Sequence, residues 1–346
     1  MIKVLIVDDS AVIRQVLRAK LESAPDIEVI GTACDPYEAR DLIAKQVPDV
    51  ITLDVEMPRM DGIAFLRKLM SHHPIPTVIV SSVTQEGTKN AIDALQAGAV
   101  QVLAKPANAY SLGHLDSLLL EAVRAASTST VRRLLSQPQA STKVQSSLAC
   151  TTDQVLAIGA STGGTRAIEQ ILTELPADCA GTLIVQHMPA QFTKSFADRL
   201  QGLCRMEVCE AKSGDTLSPG KVLIAPGDSH MLLRRNGARY FVEIKEGPLV
   251  SGHRPSVDVL FRSVAKASGT NAVGVLLTGM GSDGAKGLLE MRQSGSATMT
   301  QDEASSIVYG MPMQAVKIGA SEKEVPLDKM AGEICKALFS QPQEAG

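Results

Sequence analysis

This sequence predicts an α/β protein built on two parallel sheets, and three observations predict it. Short, fully apolar runs alternate with helical patterning through about the first 125 residues. A Ser/Thr/Gln-rich stretch then breaks the pattern, and a strand–turn–helix unit restarts it at Val155. Strands that are apolar throughout, rather than alternating, belong to sheets covered by helices on both faces. The expected division is a first domain over 1–125, a flexible linker over 126–150 and a second domain over 151–346.

Taken in order, residues 2–7 form an apolar run that ends in Asp8 and Asp9. Ser10 stands where a helix N-cap belongs, ahead of Val12, Ile13, Val16, Leu17 and Leu21 at helical spacing. The alternation then predicts strands near 27–33, 50–54, 77–81 and 100–103. Helices are predicted from Pro36, Gly62, Glu86 and Ser111. Ligands of parallel sheets gather at the carboxyl ends of the strands. That edge collects Asp8, Asp9, Asp54, Ser81 and Lys105. Converging carboxylates repel one another and suit a hard divalent cation with oxygen ligands, Mg²⁺ by chemistry. A lysine and a hydroxyl beside them supply donors for a phosphoryl oxygen. Each acidic residue alone could simply face solvent; three of them with a serine and a lysine at one edge point to a site.

The stretch from 125 to 147 carries too little apolar surface for a core, although Val131 to Leu135 could form a short helix. Beyond it, residues 155–158 read as a buried strand, Gly159-Ala-Ser161-Thr-Gly163 as a tight turn, and the run from Ala167 as a helix. Strand, Gly-x-Ser-x-Gly and helix is the setting in which a serine becomes a nucleophile. The same turn could instead bind a phosphate or nothing. A second buried run, 182–186, ends in His187. Segments around Val208, 221–225, 230–234 and 240–244, broken by Pro-Gly, Gly-Asp and Asn-Gly, read as antiparallel hairpins. The parallel pattern resumes at 272–277 and leads into Asp283.

Three buried runs thus deliver Ser161, His187 and Asp283 to carboxyl ends, and neighbouring strands would bring them together. A serine hydroxyl needs a base, and a histidine needs an acidic partner to fix its tautomer. The order Ser, His, Asp is not that of the α/β-hydrolases, so the pentapeptide does not license that fold. His187 alone reads equally as a core histidine, and Asp283 as the cap of a helix beginning at Gly284. Gly279-Met-Gly281-Ser-Asp-Gly284, with Asp302 beyond it, also fits the dinucleotide-binding fingerprint. A second class of function therefore stays open, a nucleotide- or partner-binding module without catalysis.

Two resemblances add to this reading. Asp8-Asp9, Asp54 followed by Met57-Pro58 and Asp61-Gly62, Ser81, and Lys105-Pro106 resemble a response-regulator receiver domain in order and spacing. The resemblance implies a flavodoxin-like strand order 2-1-3-4-5 and transfer of a phosphoryl group to Asp54 from a histidine kinase. It further implies Mg²⁺ bound with help from Asp8 and Asp9, and an acyl phosphate sensed by Ser81 and Lys105. Gly159-Ala-Ser161-Thr162-Gly-Gly, Gln186-His187-Met-Pro, Gly252-His253-Arg-Pro-Ser-Val-Asp258 and Leu277-Thr-Gly-Met280-Gly-Ser-Asp283-Gly resemble the effector domain of the CheB chemotaxis methylesterases. This implies hydrolysis of glutamyl methyl esters on chemoreceptors and deamidation of receptor glutamines. Ser161 is then nucleophile, His187 base and Asp283 orienter, with Thr162, His253 and Met280 nearby and no cofactor for the ester chemistry. The pairing further implies that the unphosphorylated receiver hinders receptor access.

Composition excludes little else. A net charge of −3 gives no electrostatic case for nucleic acid. Six cysteines without a C-x-x-C pair read as reduced thiols. No apolar run approaches the ~18 residues of a membrane span, and the N-terminus enters a strand directly instead of a signal peptide. The expectation is a cytoplasmic protein.

Overall fold

The computed structural model describes residues 1–57, 61–105, 112–129 and 154–340. The chain divides into two compact units, 1–137 and 138–346. In the first, strands β1 (Ile2–Val7), β2 (Ile27–Ala33), β3 (Val50–Leu53), β4 (Thr77–Ser81) and β5 (Gln101–Ala104) alternate with helices. The helices are α1 (Ala11–Leu21), α2 (Pro36–Lys45), α3 (Gly62–His72), α4 (Gln85–Ala97) and α5 (Leu112–Ser127). Helix starts follow the capping residues in the sequence: Ser10, Asp35, Asp61 and Thr84 each accept a backbone N–H of the first turn. The sheet is parallel in the order β2-β1-β3-β4-β5, as expected. The order of strand addition switches sides between β1 and β3, which run parallel, and this places the ends carrying Asp8 and Asp54 side by side at the switch point. Helix α5 continues to Ser127, two residues into the stretch read as linker. The Val131–Leu135 patch, Pro58, Pro106 and Ser111 lie outside the described residues.

The second unit opens with β6 (Val155–Ala160), α6 (Gly164–Glu174), β7 (Gly181–Gln186) and α7 (Ala190–Leu203). Strands β8 (Glu207–Glu210), β9 (Thr216–Leu217), β10 (Lys221–Ile224), β11 (His230–Asn236) and β12 (Arg239–Lys245) follow. Then come α8 (Val257–Ser268), β13 (Ala272–Leu276), α9 (Ala285–Gln293), β14 (Ala297–Gln301), α10 (Met311–Lys317), β15 (Lys323–Val325) and α11 (Leu327–Ser340). Seven strands form a parallel sheet in the order β15-β14-β13-β6-β7-β10-β8, and β11, β12 and β9 form a small antiparallel sheet.

One expectation is corrected here. The segments around Val208 and 221–225 are not hairpin strands: β8 and β10 extend the main sheet in parallel. Lys221–Ile224 is apolar after its first residue and buried there, the pattern of a parallel strand rather than an alternating one. The core packs Leu260, Phe261 and Val264 of α8 with Leu288 and Met291 of α9, and each such buried side chain contributes about 1.5–3 kcal/mol.

Candidate active site

In the second unit β6 lies between β13 and β7, so the three runs that end near Ser161, His187 and Asp283 are neighbours. Ala160 pairs with Gln186, which sets Ser161 and His187 one residue beyond a matched pair. The His187 N–H donates to the Ala160 carbonyl at 3.0 Å and the Ser161 N–H to the Thr278 carbonyl at 3.0 Å. Strand register alone therefore brings the serine and the histidine to one edge. Gly163, with φ +77, makes the left-handed turn into α6, and a Cβ there would meet Ile307 at 2.6 Å.

The His187 Nε2 lies 2.9 Å from Asp283 Oδ2, and both side chains are nearly or fully buried. Asp283 also accepts from the Ser256 hydroxyl at 2.8 Å and from the Val257 and Asp258 N–H groups at 2.7 and 3.1 Å. Burial opposes its charge, but the bonds from His187, Ser256 and Val257 overcome that and hold its carboxyl below the ordinary range. Asp283 thus caps a helix, though not the expected one. It serves the start of α8, while Gly284 opens α9 with no side-chain cap.

With Nε2 on Asp283, the remaining base atom of the imidazole is Nδ1, which is buried and has no protein partner. His253 covers one face of that ring, with centroids 3.7 Å apart and planes 15° apart. Burial, and then the neighbouring His187, push His253 down to about 3, against the pull of Asp283. Thr162 is buried at the serine turn, and Met280 is half-buried beyond β13.

Sequence reasoning missed two residues that hold the serine turn. The Thr278 hydroxyl donates to the Thr162 carbonyl at 2.9 Å, and its carbonyl accepts the Ser161 N–H. Gln301, at the end of β14, accepts the Thr278 N–H at 2.9 Å through Oε1. Both are polar residues at strand ends, the signal that picked out His187. The Gly279–Gly284 turn is spent on packing: a Cβ at Gly279 would lie 2.6 Å from the Ser161 Cβ. Asp302 accepts from the Ser305 N–H at 3.0 Å within its own turn. Neither feature behaves as a dinucleotide site.

In the first unit Asp8, Asp9 and Asp54 hold carboxylate oxygens within 4.8 Å of one another. Lys105 Nζ bridges two of them, at 2.9 Å from Asp8 Oδ2 and 2.7 Å from Asp54 Oδ2. Burial would lower the lysine, but those two carboxylates raise it, so it stays charged. Burial raises Asp54 even with Lys105 against it. One ammonium among three carboxylates leaves an excess of negative charge, and the all-oxygen donor set fits a hard divalent cation. Ser81 is at the same edge, but its hydroxyl donates to the Gly87 carbonyl at 3.1 Å instead of reaching Asp54.

A buried acidic edge with a lysine in one unit, and a serine, histidine and aspartate at adjoining strand ends in the other, define a signalling switch joined to an acyl-transfer hydrolase. Residues 4–115 match the response regulator receiver domain, and residues 156–334 match the CheB methylesterase family. The chain is 55% identical over 341 residues to a protein-glutamate methylesterase/protein-glutamine glutaminase of Syntrophus aciditrophicus, spanning 97% of this chain and 99% of that one. A namesake from Anaeromyxobacter dehalogenans is 55% identical over 336 residues, spanning 97% and 94%. The crystal structure of the Thermotoga maritima CheB methylesterase catalytic domain matches at 33% identity with a TM-score of 0.52, spanning 54% of this chain and 99% of that one. The chain belongs to the CheB family of protein-glutamate methylesterases/protein-glutamine glutaminases that carry an N-terminal receiver domain.

Proposed function

We propose that Ser161 attacks the γ-carbonyl of a methylated glutamate on a chemoreceptor cytoplasmic domain, and that phosphorylation of Asp54 by a chemotaxis histidine kinase raises the rate. The observation that carries the chemistry is the 2.9 Å bond between His187 Nε2 and Asp283, which leaves Nδ1 as base beside the serine's strand end. The Ser161 proton passes to Nδ1 as the acyl bond forms, and the departing methanol takes it. A water deprotonated by the same nitrogen then cleaves the acyl-enzyme and releases glutamate. With a receptor glutamine, ammonia leaves in place of methanol. General-base help of this kind is worth ~10²–10⁴ in rate.

Oxyanion donors follow by elimination. The Ser161 and Gly164 N–H groups are already committed, to the Thr278 and Ser161 carbonyls. The Gly163, Thr165 and Arg166 N–H groups at the start of α6 remain, and each such donor is worth about 2.7–4 kcal/mol. Asp283, fixed by four bonds, stabilises the imidazolium without accepting its proton.

In the receiver, Asp8, Asp9 and Asp54 would hold Mg²⁺, which neutralises phosphoryl charge when bound there. Lys105 then grips the phosphoryl group on Asp54, and Ser81 must leave Gly87 to join it. A cytoplasmic setting fits Cys34, Cys179, Cys204, Cys209 and Cys335, none of which forms a disulfide among the described residues. Among the described residues no helix is long and apolar enough to cross a membrane. The partners are receptor and kinase, with no nucleic acid and no membrane insertion.

The test is methanol release from a methylated chemoreceptor cytoplasmic fragment. Ser161→Ala should lose about 10³-fold or more in kcat with an unchanged melting temperature. Undiminished release by the folded variant overturns the assignment.

A further inference from the structure

We propose that His253 is a positioning residue for the esterase reaction: its ring, stacked on His187, keeps the imidazole in the plane that leaves Nε2 on Asp283 and presents Nδ1 to the serine. The inference rests on the reading of His187 as the base. One hydrogen bond fixes a ring at one atom and leaves it free to swing about that contact. A parallel ring 3.7 Å away removes the swing.

The backbone that carries His253 is built to be stiff. Val250 and His253 exchange both N–H···O=C bonds at 3.0 Å, and Ser251 and Gly252 between them have φ of +53 and +83. Two left-handed residues between a bonded pair make a type I′ reverse turn, the tightest hairpin connection. Three side chains tie down this strap. Ser251 Oγ donates to Asp258 Oδ2 at 3.2 Å, Arg254 Nη1 to the Gly247 carbonyl at 2.6 Å, and His230 Nε2 to the Pro248 carbonyl at 2.9 Å. Three residues beyond His253, Ser256 and then Val257 bind Asp283. One short segment therefore sets both the cover over the base and the carboxylate that orients it.

The cover must also tolerate a charge. His187 becomes an imidazolium during acyl transfer, and a charged ring stacked on it would oppose that step. Asp283 and His253 face His187, while Asp258 and His230 stand behind Asp283 and Ser256. Burial, and then the neighbouring His187, hold His253 well below the ordinary histidine range, so it covers His187 as a neutral ring. A neutral aromatic face against a cation is favourable.

The experiment compares full-length wild type, His253→Ala and His253→Phe, with methanol release from the methylated receptor fragment followed across pH and thermal unfolding alongside. His253→Ala is expected to lose about 10- to 100-fold in kcat, with KM near wild type, as a base out of alignment does. Its acid limb should move, because uncovering His187 changes the solvation of the imidazolium. His253→Phe restores a flat neutral ring and should regain most of the loss, to within about fivefold of wild type on the same scale. If the alanine variant does not fold, His253→Gln takes its place against His253→Phe. An alanine or glutamine variant that matches wild type in kcat and pH profile overturns the proposal. So does a folded phenylalanine variant as slow as the alanine one, since the working feature would then be polar. A wild type that releases no methanol overturns the esterase reading itself.

Discussion

Asp283 ties together the proposed chemistry and the fold. It holds His187, the proposed base, and, through Ser256, Val257 and Asp258, the first turn of α8. Asp283→Asn should therefore differ from Ser161→Ala. An amide cannot accept from His187 and the helix start together, so kcat should fall about 10⁴-fold, the loss expected when the base takes the wrong tautomer. Stability should fall too, by about 1–3 kcal/mol, because buried donors lose their acceptor. The sign with pH follows from the lowered carboxyl. Its stabilisation is present above the unfolded value of about 3.9 and is lost as pH falls through the lower folded value. Thermal unfolding of both proteins between neutral and acid pH should show the gap closing at the acid end. A gap that stays constant refutes the linkage. Thr278 offers a second check: Thr278→Val keeps the shape but removes the donor to the Thr162 carbonyl and the acceptor of the Val308 N–H. It should slow kcat by about tenfold through the serine turn, and Thr278→Ser should recover it. The meeting of Ser161, His187 and Asp283, the proposed catalytic trio, was legible in sequence because each follows a buried run. The bond from Asp283 to α8 was not, because its partners lie about 25 residues upstream and no local pattern links them.

At the scale of elements, the meeting of β6 and α8 decides whether the site assembles. Gly159 faces Val257, the first residue of α8, and a Cβ at Gly159 would overlap the Val257 side chain. Gly159→Ala should push back the helix start that carries the Val257 N–H to Asp283. Overpacking of this kind costs about 1–3 kcal/mol, and here the displaced element also sets the orienter of the base. Unfolding should show the loss, and kcat should fall with it while KM holds. Normal kcat in a destabilised variant means that α8 and Asp283 can separate. The receiver helices were legible through their caps, and the parallel strands through their unbroken apolar runs. The misread elements share a cause. Pro219-Gly220 is a true turn, but it hands the chain from the small antiparallel sheet back to the large one, and turn residues do not reveal which sheet comes next. Gln301 escaped notice because β14, Ala-Thr-Met-Thr-Gln, is half polar and lacks the apolar signature of its neighbours.

At the scale of the molecule, a switch and a catalyst occupy separate units of one chain, so coupling must appear as a change in esterase rate with the state of Asp54. Phosphorylation replaces the single carboxylate charge of Asp54 with the roughly −1.5 to −2 of a phosphoryl group, beside the carboxylates of Asp8 and Asp9 and one lysine. The edge can accept that only with help from a cation and from Lys105. The hydroxyl of Ser81 must also give up the Gly87 carbonyl, and this disturbs the start of α4. A second restraint stands beside it, since Glu56 holds the hydroxyls of Ser82 and Thr84 on the same loop. The loop therefore moves only if the phosphoryl contacts outweigh the bonds they replace, and the phosphoryl group can shift the equilibrium only by that difference. Methanol release by the full chain should rise on adding a small-molecule phosphodonor with Mg²⁺, and Asp54→Ala should abolish the rise while keeping the basal rate. Chelating the metal should do the same to wild type, since the serine chemistry needs none. Release that rises equally in Asp54→Ala would place the donor's action elsewhere. Loss of basal release on chelation would mean that the two sites share a requirement that their separate geometries do not explain.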